Sequence, residues 1–392
     1  MNKAGSIPLR RSAALPRFSI VLLLALAAPS LRAHDVAEIP ASRVLGTIHF
    51  PTSSQSEPAQ TAFIQGMLLL HLFEYPFAAE QFRKAQALDP GFAMAYWGEA
   101  MTHNHPIWDE QDRAAAMAVL NRLGPSAEAR QSMTPSQKEK NHLAALEILY
   151  GEGAKGGRDL AYMRHMEQMA RHYPGDDEVQ LFYALALMGA SAGVRDVPRY
   201  MESAAISQGV FYANLEHPGA AHYLIHAVDD PIHAPLGLQA ARALAKIAPD
   251  AGHSLHMTSH IFTAVGMWDD VVTANEAAIR VQNGMRVQMG QQPRHWGHYN
   301  FWLLYGLLQQ GRYQAAGALL KSAVDEAIVA GAVPEDRLEL DPDRSHIGSV
   351  VQMWARYVIE TRAWNSETAR WSFNMGDAFD LFITYQLTDA NE

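Results

Sequence analysis

His217-Pro218-Gly219-Ala220-Ala221-His222-Tyr223-Leu224-Ile225-His226 and, further on, His256-Met257-Thr258-Ser259-His260 each hold two histidines four residues apart, and the two pairs stand 34 residues apart. His71 and His105 are separated by 34 residues as well. A fixed period of that length marks a chain built from repeated helical hairpins, each too small to bury its apolar face alone. Residues four apart share one face of a helix, so each pair sends both imidazoles the same way. Histidine fills only 18 of 392 positions. Its recurrence in register predicts imidazoles that converge in space.

The remainder of the chain reads as helical. Ala62, Gly66, Tyr75, Ala78, Phe82, Ala85 and Pro90 resemble the small, aromatic and proline positions of a tetratricopeptide repeat, with Pro90 closing the second helix. A helix from Phe92 through Ala100 should break at Pro106. Further helices are expected from Thr134-Pro135, as cap and first turn, to near Gly151, then over residues 159–173, 177–188 and 198–207, with 151–157 a loop. In the centre, residues 217–229 pair with 235–248, 253–265 with 268–281 and 300–308 with 313–327, and a last hairpin is placed over 344–364. No segment alternates with period two, so no sheet is assigned. The expected fold is all-α, a tetratricopeptide-repeat-like α-solenoid of stacked helical hairpins over residues 57–392, preceded by an extension over 34–56.

Residues 1–33 read as a signal peptide: Lys3, Arg10, Arg11 and Arg17, an apolar run from Phe18 to Ala28, and a small residue, Ala33, at the cleavage point. The run is too short for a membrane span, and none is expected in the mature chain, which would begin at His34 in the periplasm or outside the cell. The twin arginine Arg10-Arg11 is only a weak match to the signal that exports folded proteins. Five of the 31 basic residues and none of the 41 acidic ones lie in this segment, leaving the mature chain 26 basic and 41 acidic residues, a formal charge of −15. That balance argues against nucleic acid as a partner. Absence of cysteine suits an oxidising compartment and removes thiolate ligands, disulfides and a cysteine nucleophile together.

Converging imidazoles in such a chain point to a transition metal bound through nitrogen. The core set is His222, His226, His256 and His260. His217 and His253 stand at the entrances of the same helices, His233 lies in the turn between them, and His295 and His298 lead into the next pair. Asp229, Asp230 and Glu216 could hold the outer ring nitrogens. His105 and His103 form an N-terminal group with His71 and Glu99, which either curls in to join the centre or makes a separate site. Imidazole ligation suits copper or zinc, with iron a third candidate. His142, His165, His172 and His346 read as ordinary packed or hydrogen-bonded histidines. Gly189-Ala190-Ser191-Ala192-Gly193 matches a nucleophile elbow in letters only, because that motif needs a preceding strand. An N-terminal His34 could brace copper with its own amino group, a minor option. Tyr96, Trp97, Trp108, Trp268, Trp296, Phe301, Trp302 and Tyr305 could wall a cleft, although packing between helices is the more ordinary role.

The histidine motifs, His-Pro-Gly-x-x-His-Tyr-x-Ile-His and His-Met-x-Ser-His-Ile-Phe, followed by Gly266-Met267-Trp268, resemble a family of exported bacterial tetratricopeptide-repeat-like proteins. Tyr96-Trp97-Gly98-Glu99-Ala100-Met101 and Asn104-His105-Pro106 fit it too, and the likeness covers most of residues 57–330. Thr258 replaces a proline common in that family, and the chain is short for it at the C-terminus. The resemblance implies that the first helix of each hairpin lines a concave groove, so that all four core histidines face it. It names no reaction. The expected function is a metalloenzyme, by copper-dependent oxidation or zinc-dependent hydrolysis, acting on a small-molecule or peptide ligand in the groove. Two alternatives stay open: a non-catalytic peptide- or protein-binding scaffold, and a metal storage or delivery protein.

Overall fold

The computed structural model describes residues 43–191, 193–330, 346–366 and 368. Residues 1–42, which include the expected signal peptide and His34, and residues 369–392 lie outside that set. Ser56 accepts from the Ala59 N–H and opens α1 (Glu57–His71), which packs against α2 (Tyr75–Leu88). α3 (Ala93–Met101) follows after Pro90, and the rings and glycines between these helices explain the close approach. Phe82 of α2 fills the slot between Gly66 of α1 and Gly98 of α3: a Cβ on either glycine would lie 2.7 or 2.4 Å from its ring.

Beyond α3 the helices are α4 (Arg113–Leu123), α5 (Ala127–Ser132), α6 (Gln137–Leu149), α7 (Lys155–His172), α8 (Asp177–Gly189) and α9 (Val197–Ala213). Then come α10 (Pro218–Val228), α11 (Leu238–Ile247), α12 (Gly252–Ala264), α13 (Trp268–Gln288), α14 (His298–Gln309), α15 (Tyr313–Ala330) and α16 (His346–Thr361). Most helices pack chiefly on their neighbours in sequence, as a stack of hairpins requires. The fold is all-helical, as the 34-residue period predicts, and no helix among the described residues is long and apolar enough to cross a membrane.

Several boundaries differ from the sequence reading. A two-residue antiparallel ladder pairs β1 (Asn104–His105) with β2 (Glu110–Gln111) around a 3-10 turn, Pro106–Trp108. Strands so short cannot carry a period-two pattern. Ser136, not Thr134, caps α6, because Thr134 turns its hydroxyl to Glu139 instead. Gly156 and Gly157 lie inside α7 rather than in a loop. The last hairpin is represented by the single helix α16, packed on α14 and α15.

One departure matters for function. The first hairpin does not stay at one end of the stack, since α1 also contacts α10. Residues before α1 reinforce this: Thr47 N–H donates to the Glu216 carbonyl at 3.0 Å, Val44 N–H to the Asp250 carboxylate at 2.7 Å and Arg43 to the Asp250 carbonyl at 2.6 Å. Helices that a simple row would separate are thereby brought together. Gly98→Ala should cost about 1–3 kcal/mol by driving Phe82 from its slot; the check is the urea midpoint against wild type, and an unchanged midpoint would contradict the packing described.

Candidate metal centre

α10 begins where His217, as N-cap, accepts the Ala220 N–H, and Pro218 fits the first turn because its missing N–H is not needed there. The whole helix is buried, so His222 and His226 face inward at 0% and 7% exposure. α12 lies alongside α10 and carries His253, His256 and His260 at spacings that keep them on one stripe. His298 opens α14.

The four core histidines do not close into one group; each pair recruits a third imidazole. His222, His226 and His253 form one set and His256, His260 and His298 another, the prospective ligand atoms of each set lying within 4.8 Å of one another. In the first, His222 Nε2 is 3.1 Å from His226 Nε2, and His253 Nε2 is buried with no hydrogen-bond partner. In the second, His256 Nε2 is 3.0 Å from His260 Nε2, and the His298 ring lies 4.6 Å from that of His256. Two nitrogens on one tetrahedral ion at 2.0–2.1 Å stand about 3.3 Å apart, so both pairs are close to ligating geometry.

What the opposite nitrogens touch decides which nitrogen keeps its lone pair. His222 Nδ1–H donates to the His71 carbonyl at 2.6 Å. His256 Nδ1–H donates to Asn275 Oδ1 at 2.7 Å, and the Asn275 amide is oriented by its own donation to the Val271 carbonyl. His260 Nδ1–H donates to the Asp229 carboxylate at 2.8 Å. Since a neutral imidazole has one hydrogen, Nε2 of all three rings is a bare acceptor. With both rings neutral, His256 and His260 direct two lone pairs at each other across 3.0 Å, an arrangement that a shared cation would relieve. A proton would satisfy two rings. The third, His298, fits a metal ion.

Burial favours the unprotonated form of His222, His226, His253 and His256. It is the main cause that holds His222 down at about 4 and His226, His253 and His256 well below the ordinary imidazole range, with neighbouring imidazoles adding to the effect in the last three. The two sets influence each other, for His256 and His260 depress His226, and His298 and His260 depress His253. Aromatic rings enclose them. Phe73 lies 4.5 Å from His222, Trp108 lies 5.6 Å from His253, and Trp302 lies 5.1 Å from His260. Phe73 holds a left-handed backbone, φ 57°, rare for a bulky residue, and that turn aims its ring at the histidines.

Other expected ligands are placed elsewhere. His105 stacks on Tyr75 at 4.1 Å and donates to the Thr102 carbonyl, with its ring 6.5 Å from that of Trp108. His103 does not share a cation with Glu99, whose buried carboxylate is taken by Gln86, Arg83 and Arg122. His217 joins His71 and Glu178 in a separate buried group. His233 binds Asp230, His295 binds Glu326, and Glu216 bonds Thr47 rather than an imidazole. Ser191 gives its hydroxyl to the Leu187 carbonyl at the end of α8, so the glycine–serine motif is a small-residue turn. α1, Phe73 and the Pro106–Trp108 turn cover α10, so His222 and His226 lie beneath other side chains. Tyr96, Trp97 and Phe301 are core, whereas Trp108 is 47% exposed beside the histidines.

No family model matches the chain, and no curated protein matches it. Among solved structures it is similar to the tetratricopeptide-repeat domain of P58(IPK), at 11% identity over 85% of this chain and 99% of that one, with a TM-score of 0.22. A score that low carries nothing from that protein to this chain.

A buried imidazole with a depressed pKa binds its proton more readily when unfolded, so its contribution to stability is full above about 6.5 and is lost as pH falls toward about 4. Metal-free protein should therefore show a lower urea midpoint at pH 5.0 than at pH 7.5. His142, held at about 4 by burial between Phe50 and Trp97, contributes one such proton. His142→Phe should narrow the difference between the two midpoints; equal midpoints in the wild type would contradict the burial.

Proposed function

We propose that this chain is an exported metalloenzyme with two transition-metal centres, one held by His222, His226 and His253 and the other by His256, His260 and His298. The supporting observation is the His256–His260 pair, whose outer nitrogens are both committed to acceptors while the inner ones meet at 3.0 Å. Three protein ligands leave a fourth position free, the arrangement of catalytic sites rather than closed structural ones.

Copper is the favoured metal. Each set offers three imidazole nitrogens and neither a carboxylate nor a thiolate among its ligand atoms, a donor set that suits copper. Bound copper would supply one-electron redox chemistry at each centre, suited to oxidation of a small substrate. The chain's own residues do the rest: the Nδ1 anchors fix ring orientation, and Phe73, Trp108 and Trp302 limit water around the imidazoles. A peptide scaffold is less well supported, because side chains at 0% exposure, His222 and His256, meet no peptide.

Zinc-dependent hydrolysis is the second reading, and Asp229 behind His260 favours it, since a carboxylate on the outer nitrogen raises ligand basicity in zinc sites. Elemental analysis of untagged protein separates the two. About two copper ions per chain are expected, about one in His222→Ala or His256→Ala, and none in the double variant. Zinc in copper's place would shift the reaction to hydrolysis. Less than about a tenth of any metal per chain would end the metalloenzyme reading.

A further inference from the structure

Beside the first centre, α1, α8 and the start of α10 bring His71, Glu178 and His217 within 4.8 Å of one another, at 0%, 2% and 1% exposure. Two imidazoles and a carboxylate could make a third metal site. The hydrogen bonds speak against it. Ala220 N–H donates to His217 Nδ1, so that ring's one lone pair is used and its Nε2 carries the hydrogen, 3.3 Å from Glu178 Oε1. Tyr223 O–H donates to His71 Nδ1 at 2.9 Å, and His71 Nε2–H donates to Glu178 Oε2 at 2.7 Å. Neither ring keeps a lone pair for a cation.

Glu178 is thus a buried carboxylate faced by the Nε2–H groups of His71 and His217. Burial alone would push its pKa up, yet His71 and His217 hold it down at about 2. A buried negative charge is costly without a nearby positive one. The same His71 gives its backbone carbonyl to His222 Nδ1. Its ring lies so close to α10 that a Cβ on Gly219 would stand 2.4 Å from Nδ1.

We propose that Glu178 is a positioning residue of the first metal centre: through His71 it fixes His222 and supplies the buried negative charge that balances a cation at His222, His226 and His253, while binding no ion itself. The inference rests on the two-centre reading. Cobalt(II) serves as the probe, titrated against a competing chelator into full-length metal-free protein, with each centre followed separately in His222→Ala and His256→Ala backgrounds.

Glu178→Gln should weaken cobalt binding at the first centre by about 10–100-fold and alter its visible absorption, leaving the second centre at wild-type affinity. Tyr223→Phe, which breaks the same arm without touching the carboxylate, should weaken the first centre in the same selective way. Wild-type affinity at the first centre in both variants would overturn the proposal, as would a third cobalt ion that Glu178→Gln alone removes. Equal weakening of both centres would show a merely structural role and overturn it too. Wild-type protein that takes up no cobalt would overturn the two-centre reading itself, a result distinct from loss at one centre.

Discussion

A neutral imidazole has a single lone pair, and the nitrogen that keeps it is chosen by what touches the other one. In this protein that choice is made by three oxygens from three different elements: the carbonyl of His71 at the end of α1, the amide of Asn275 on α13, and the carboxylate of Asp229 just after α10. Each receives an Nδ1–H and leaves Nε2 bare. The folding of the first hairpin back onto α10, and the packing of α13 on α12, are what bring two of these oxygens to their rings. Without them the histidines would be free to turn and hydrogen-bond singly, as His165 and His346 do with backbone carbonyls.

The use of neutral rings also explains how such polar residues come to occupy an apolar interior. Burying a carboxylate requires a partner of opposite charge, as Glu99 has in Arg83 and Arg122. A histidine can give up its proton instead, so a cluster of them enters the core at the cost of hydrogen bonds alone. His142 marks the limiting case, with neither ring nitrogen hydrogen-bonded and the rings of Phe50 and Trp97 against it.

Repeat period and histidine spacing make the helical architecture and the two His-x-x-x-His pairs legible in the sequence, because both follow from the 3.6-residue turn of a helix. His253 and His298 were recognisable only as histidines near the right helix ends. That each completes a different set depends on side-chain direction at the starts of α12 and α14, which spacing does not encode. Glu178, Asn275 and Phe73 left no trace in the sequence pattern. Glu178 is 107 residues from His71, and nothing in its own helix announces the pairing. Conversely, Glu99 and His103 had a ligand-like interval, but two arginines reach the carboxylate first.

The His71–His222 hydrogen bond closes a span of 151 residues. Contacts so far apart in sequence form late, after the entropy of closing the intervening chain has been overcome. Hairpins α2 to α9 can assemble locally, each on the one before, but the first centre comes into being only when the two ends of that arc meet. An ion bound at the proposed centre would clasp this closure, because separating α1 from α10 would have to release the ion as well. On the proposed reading loading would be a final step of folding, and the last contact made would become one of the hardest to undo.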